Sequence, residues 1–126
     1  MDKKSNLSGI TMYSGLLLVI TGIIHSIYAL VSFGSIYLDI IKDVLANTSS
    51  HDYSHGFAFW FLICGVFVIL LGTVLHHYQK REQKAAPLSL GYSLLILSII
   101  GCIVEPISGF WLFIPQGLLI IWGNKK

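Results

Sequence analysis

Residues 53–79 read YSHGFAFWFLICGVFVILLGTVLHHYQ, an apolar stretch without a single Asp, Glu, Lys or Arg. A helix rises about 1.5 Å per residue, so roughly 20 apolar residues cross a hydrocarbon core of about 30 Å. This stretch is long enough to cross a membrane as one helix. Three more charge-free stretches exceed the lower limit of about 17 residues for a span; they are residues 5–38, 85–104 and 106–124.

The composition excludes a soluble globular domain. The 126-residue chain is 55% hydrophobic and 11% charged. A soluble domain carries about 25% charged residues, and a domain of this size buries only about two thirds of the surface of its unfolded chain. We therefore predict an all-α, polytopic membrane protein with a single four-helix transmembrane domain over residues 1–126. The four predicted transmembrane helices cover residues 10–32, 56–76, 87–104 and 107–123.

The distribution of basic residues predicts how the chain is oriented. Seven of the eight Lys and Arg residues flank the predicted helices on one side, which the positive-inside rule assigns to the cytoplasm. We expect a multi-pass protein of the cell (plasma or inner) membrane with both termini cytoplasmic and a first helix that stays as an anchor. Contact with anionic lipid explains the basic charge without a nucleic-acid partner. The seven residues are Lys3, Lys4, Lys80, Arg81, Lys84, Lys125 and Lys126.

The first outer loop is predicted to contain a short amphipathic helix over residues 36–45. Its apolar residues recur at helical spacing, while Asp39, Lys42 and Asp43 fall on the opposite face. Such a helix fits the outer membrane surface or the end of the bundle. Ser50 or Asp52 is expected to cap the start of the second transmembrane helix.

Small residues indicate where the helices approach one another. Gly15 and Gly22 in the first helix are seven residues apart, as are Gly65 and Gly72 in the second. This spacing puts each pair on one face, where helices can pack closely. Gln116 is expected to satisfy the carbonyl freed by the neighbouring proline or to bridge to another helix. Ser98, Gly101, Gly109 and Gly117 are candidates for similar close contacts in the last two helices.

His25 and Glu105 form a candidate proton- or ligand-binding pair. Counted from the cytoplasmic end at about 1.5 Å per residue, the two residues reach similar heights in the outer half of the membrane. An ionisable group at membrane depth indicates function by default. In the alternative interpretation, His25 bonds a backbone carbonyl or a Tyr across a helix interface, and Glu105 reaches outer water. Trp60, Ser108 and Trp111 lie near the same height and complete the candidate ligand site.

The evidence for a metal or cofactor is weak. His51 and His55 would share one face of a helix, with Asp52 as a further ligand, but two histidines and one loop carboxylate do not define a metal site. We therefore predict no metal and no cofactor. Cys64 and Cys102 fall inside predicted spans and are expected to be free buried thiols.

Three segments together resemble a known family. They are Thr21-Gly22-Ile23-Ile24-His25, Phe59-Trp60-Phe61-Leu62-Ile63-Cys64-Gly65 and Glu105-Pro106-Ile107-Ser108-Gly109-Phe110-Trp111-Leu112. The combination resembles a family of small bacterial four-helix integral membrane proteins of unknown function. The resemblance implies a four-helix membrane fold and a bacterial source. It implies no activity, substrate or catalytic residue.

Two classes of function remain open from the sequence. The first is a non-enzymatic accessory protein, or a binder of a small or lipidic ligand near the outer leaflet. The alternative is a small membrane enzyme or proton-coupled carrier that uses His25 and Glu105. We favour the first because common catalytic motifs are absent from the sequence. The expected partners are the lipid bilayer and a second copy or another membrane protein.

Overall fold

The computed structural model describes residues 9, 11–48 and 52–125, which contain five α-helices and no strand. Residues 105–108 form the turn after the fourth of these helices, and a short 3-10 helix leads from there into the last. The helices are α1 (Ser14–Ser32), α2 (Gly34–Leu45), α3 (Tyr53–Glu82), α4 (Leu88–Val104) and α5 (Phe113–Asn124), with the 3-10 helix at Gly109–Leu112.

Two helices are long and apolar enough to cross a membrane. They are α1, with 19 residues, and α3, with 30 residues, while α4 is a shorter apolar helix. The predicted helix over residues 87–104 is confirmed by α4, and α3 extends beyond the predicted 56–76 at both ends. The predicted end of the first helix is also confirmed. Its predicted start at Ile10, together with Lys3, Lys4 and Lys126, lies outside the described residues.

The predicted start of the last helix at residue 107 is wrong. The amide of Glu105 donates to the carbonyl of Gly101 as α4 ends, and the amide of Ser108 donates to the carbonyl of Glu105 in a turn. Ser108 then takes an extended backbone conformation, which interrupts any continuous helix. The α-helix therefore begins only at Phe113, after the 3-10 turn.

The glycine seam between α1 and α3 is confirmed. A Cβ atom added to Gly15 would lie 2.6 Å from the Cα atom of His76, and one added to Gly72 would lie 2.6 Å from the amide nitrogen of Val19. Added Cβ atoms on Gly22 and Gly65 would also clash with the opposite helix. Only glycine allows the two backbones to come this close. We call Gly15, Gly22, Gly65 and Gly72 the glycine seam.

The helices α4 and α5 form a second pair. Gly91 faces Ile120 and Ile121, and Gly101 lies against the ring of Phe110. Gly117 is also close to the opposite helix, but Gly109 has no atom within 4 Å of an added Cβ, so its predicted packing role is wrong. Gly109 instead opens the 3-10 turn.

The two pairs meet through one polar bridge and a small apolar core. The side-chain amide of Gln116 in α5 donates to the hydroxyl of Thr21 in α1, so the predicted bridge to another helix is confirmed. About two turns further along α5, an added Cβ on Gly123 would overlap the side chain of Thr11. The apolar core draws on both pairs and on the connector between them; its buried members are Leu18, Leu75, Ala86, Leu94 and Ile120.

The described interior contains polar as well as apolar side chains, and many large apolar side chains lie on the surface. Fully or nearly fully buried side chains include Ser14, Gln79 and Ser98, whereas large apolar side chains point outward on every described α-helix. Val74 is 68% exposed and Ile103 is 75% exposed. A soluble protein places such residues inside, so this surface matches an apolar solvent better than water.

The amphipathic helix predicted in the first loop is confirmed by α2. The Tyr37 hydroxyl of this helix donates to the carbonyl of Ala58 in α3 at 2.8 Å. On the other face, Lys42 and Asp39 form an exposed ion pair at 3.2 Å. The predicted cap at Asp52 is also confirmed, since its carboxylate accepts the amide of Ser54 at the start of α3. The alternative cap, Ser50, lies outside the described residues.

Candidate functional site

His25 projects from α1 against α3. Its ring stacks on the ring of Phe61 at a centroid distance of 4.2 Å, and its Nε2 atom lies 2.9 Å from the Phe61 carbonyl oxygen. A carbonyl oxygen only accepts, so Nε2 carries the hydrogen in this bond. The neutral ring then has Nδ1 as a hydrogen-bond acceptor. This bond is the carbonyl contact that the sequence offered as the alternative to a pair with Glu105.

Small and aromatic side chains shape the surroundings of His25. A Cβ atom on Gly65 would lie 3.0 Å from the His25 ring and would overlap the Ser26 hydroxyl, so this glycine lets α1 approach α3 here. The Ser26 hydroxyl oxygen is buried without a hydrogen-bond partner among the described residues. The Phe61 ring that stacks on His25 also belongs to an aromatic cluster; its other members are Tyr28, Phe33 and Phe57.

Glu105 is not brought into contact with His25. Its side chain is exposed just after α4, and no hydrogen bond or ion pair joins it to His25 in the described part of the chain. The similar heights that the sequence predicts for the two residues therefore do not correspond to a bonded pair among the described contacts. The enzyme or proton-carrier alternative depends on that pair, and none of the described contacts supports it.

The other residues of the candidate ligand site have separate surroundings. Trp60 is 63% exposed and contacts Phe59 edge to face. Trp111 is 56% exposed, and its indole nitrogen donates to the carbonyl of Pro106 at 2.8 Å, which braces the turn before the 3-10 helix. The Ser108 hydroxyl oxygen is buried and has no partner among the described residues.

The two described metal candidates, Asp52 and His55, have other polar partners. The hydroxyl and the amide of Ser54 donate to the Asp52 carboxylate and hold its pKa below the ordinary value, because both bonds favour the charged form. His55 lies 3.8 Å from the carboxylate of Asp43 through its Nδ1 atom. His51 lies outside the described residues. No group of three or more metal-ligating side chains occurs among the residues that the structure describes.

Gln79 is the polar residue that the sequence analysis missed. Its side chain is completely buried in α3 and reaches the start of α1, where its amide nitrogen donates to the Thr11 carbonyl at 2.9 Å and the Ser14 hydroxyl at 2.8 Å. Its amide oxygen accepts the backbone amide of Gly15 at 3.1 Å. The sequence spacing could have indicated that Gln79 faces α1, because Gln79 follows Gly65 and Gly72 at the same interval of seven residues.

The structure defines an all-α protein with two helices that can cross a membrane. The sequence model described as "Family of unknown function (DUF6463)" matches residues 9–126, and the chain belongs to this family. The predicted membership of a family of unknown function is therefore confirmed, while the bacterial source stays a prediction. No curated protein and no solved structure matches the chain.

Proposed function

We propose that the chain is an integral membrane protein with four spans and both termini on the cytoplasmic side. We propose further that it works without turnover, as an accessory protein or as a binder of a small or lipidic ligand in the outer-leaflet half. The observation that carries this proposal is the exposure of large apolar residues on every described α-helix, while polar side chains such as Ser14, Gln79 and Ser98 are buried.

The lengths of the last two helices support two further spans. At about 1.5 Å per residue, the 17 residues of α4 cover about 26 Å. The 3-10 turn and α5 together run over residues 109–124 and cover a similar distance. Spans slightly shorter than the hydrocarbon core are accommodated by local thinning of the bilayer.

The end at which the basic residues gather supports the proposed orientation. Lys80 and Arg81 lie in the last turn of α3, and Lys84 lies in the connector to α4. Asn124 at the end of α5 donates to the carbonyl of Ala86 in this connector at 2.7 Å, and Gln79 holds the start of α1 at the same end. These contacts gather the described basic residues, other than Lys42, at one end of the helices, as the positive-inside rule requires of the cytoplasmic end.

The binding site that we propose is the edge of the α1–α3 interface at His25. The bond from Nε2 to the Phe61 carbonyl leaves Nδ1 as the acceptor beside an aromatic cluster. These features fit a ligand with an apolar body and a single hydrogen-bond donor. A hydroxyl-bearing lipid such as a diacylglycerol has this chemistry.

Cysteine labelling tests the membrane topology. In a background with Cys64→Ala and Cys102→Ala, single substitutions Thr48→Cys, Lys84→Cys, Ile107→Cys and Lys125→Cys are exposed to a membrane-impermeant maleimide in intact cells. We expect labelling at positions 48 and 107 in intact cells, and at 84 and 125 only after permeabilisation. Labelling of Lys84→Cys in intact cells at the rate of Thr48→Cys would contradict the orientation.

Nitrogen NMR tests the proposed ligand site. The full chain in nanodiscs is titrated with dioleoylglycerol and, as a matched probe without a donor, with its 3-acetyl ester. We expect the Nδ1 resonance of His25 to shift only with the hydroxyl-bearing probe, while His77 at the other end of α3 serves as the internal control. Equal responses to both probes, or a response of His77 alone, would exclude this site.

A further inference from the structure

A cavity of about 330 Å³ lies between the start of α1 and the end of α3. Its volume is within the range of about 300–1,000 Å³ that is typical of small-ligand sites. It is far along α3 from His25, at the end where the basic residues gather. The residues that line it are Gly9, Met12, Tyr13, His76, Lys80 and Gln83.

The lining of this cavity favours an anion. Among the described residues, its lining includes Lys80, Tyr13 and Gln83 and has no Asp or Glu. Lys80 has no ion pair among the described residues. A site with one unpaired cation and several neutral donors is complementary to a phosphate group.

A second cavity shares Lys80 with the first. It has a volume of about 340 Å³ and is lined by His77, Lys80 and Arg81. Lys80 therefore lies between two cavities on adjoining faces of the last turns of α3. Arg81 adds a planar group that can bind two phosphate oxygens at once.

We propose that these two cavities bind the phosphodiester headgroup of an anionic phospholipid from the cytoplasmic leaflet, with Lys80 as the shared anchor. Lipid fits better than a soluble phosphate because exposed apolar side chains continue from the cavities along the helices; Leu16 and Val74 lie within two turns of them. Basic pockets between helices on the cytoplasmic side are suited to such headgroups. The inference rests on the proposed membrane placement and not on the proposed ligand at His25.

Native mass spectrometry of the full chain tests this inference. The protein in neutral detergent is titrated separately with dioleoyl phosphatidylglycerol, dioleoyl phosphatidylcholine and inorganic phosphate. We expect phosphatidylglycerol to be retained most strongly, and Lys80→Gln to weaken its retention about fivefold, the factor typical of one basic group near an anionic lipid surface. Lys80→Arg keeps the charge and should retain the lipid.

Lys84→Gln is the matched control, because Lys84 is an exposed basic residue outside both cavities. It should change retention by less than about twofold, as expected for an exposed charge. Equal losses for Lys80→Gln and Lys84→Gln would overturn the inference, as would equal retention of phosphatidylcholine. Binding of inorganic phosphate without retention of phosphatidylglycerol would overturn the lipid assignment. Cysteine labelling at positions 48 and 125, repeated in the Lys80→Gln and Lys84→Gln variants, separates these outcomes from a failure of the proposed topology.

Discussion

The two helix pairs of this protein are held together in different ways. In the first hairpin, α1 and α3 approach until backbone faces backbone along the glycine seam. In the second hairpin, α4 and α5 are shorter, and side chains of Ile120, Ile121 and Phe110 lie in front of Gly91 and Gly101, whereas Gly117 faces the backbone of α4. Within a bilayer, apolar burial does not drive helices together, so close packing and polar contacts decide their association. We therefore expect the first hairpin to be the more stable unit and the second to depend on its junction with the first.

The largest effect is expected from the glycine seam. Gly72→Ala adds a methyl group 2.6 Å from a backbone nitrogen of α1, which cannot move aside as a flexible side chain can. We expect a loss of about 3 kcal/mol in the free energy of unfolding, the upper part of the range for overpacking. Steric trapping in bicelles measures this loss.

Gly34→Ala is the matched control, because an added Cβ at Gly34 has no atom within 4 Å. It should leave the free energy of unfolding within about 0.5 kcal/mol of the wild type. If both variants lost stability equally, the close approach of α1 and α3 would not be the main source of stability in the first hairpin.

Gln79→Leu is expected to have the next largest effect. The change leaves the Gly15 amide, the Thr11 carbonyl and the Ser14 hydroxyl without the partner that Gln79 provides. Unsatisfied buried groups cost about 1–3 kcal/mol, so we expect a loss near 2 kcal/mol. Hydrogen exchange at the start of α1 should rise in this variant. Gln83→Ala is the control, because it removes one exposed hydrogen bond, and it should change neither the free energy of unfolding nor the exchange at the start of α1. Similar losses in Gln79→Leu and Gln83→Ala would contradict the role of Gln79.

The junction between the hairpins should contribute less. A double-mutant cycle with Gln116→Leu and Thr21→Val isolates the side-chain bond between α5 and α1. We expect a coupling energy of about 1 kcal/mol, in line with polar contacts inside membranes. A coupling near zero would mean that the apolar core alone joins the two hairpins.

The smallest effect concerns the cap of α3. The Ser54 hydroxyl and amide lower the pKa of Asp52 in the folded protein. A lowered native pKa stabilises the cap above the unfolded pKa, and this contribution disappears as the pH falls through the native value. The protection factors of the Ser54 and His55 amides, corrected for the intrinsic pH dependence of exchange, should therefore fall in acid. Asp52→Asn should remove that pH dependence; unchanged acid sensitivity in this variant would point to another group.

The sequence predicted those features that depend on spacing along one helix. The interval of seven residues predicted the glycine seam, and the recurrence of apolar residues at helical spacing predicted α2. It did not predict the late start of α5, because an apolar window does not reveal that Ser108 is extended. Rise per residue gives the height of His25 and Glu105 but not the direction in which either side chain points. Gln79 was missed because the predicted second helix ended at residue 76, three residues before it.

Collision of spin labels with oxygen and with a water-soluble nickel chelate tests the central claim most directly. Labels at Ile96→Cys and Leu118→Cys, on the exposed faces of α4 and α5, are compared with Thr48→Cys in lipid vesicles. The account predicts frequent collisions with oxygen and rare collisions with the chelate at positions 96 and 118, and the reverse at position 48. Chelate collisions at positions 96 and 118 as frequent as those at position 48 would mean that α4 and α5 lie in water, which contradicts a four-span protein.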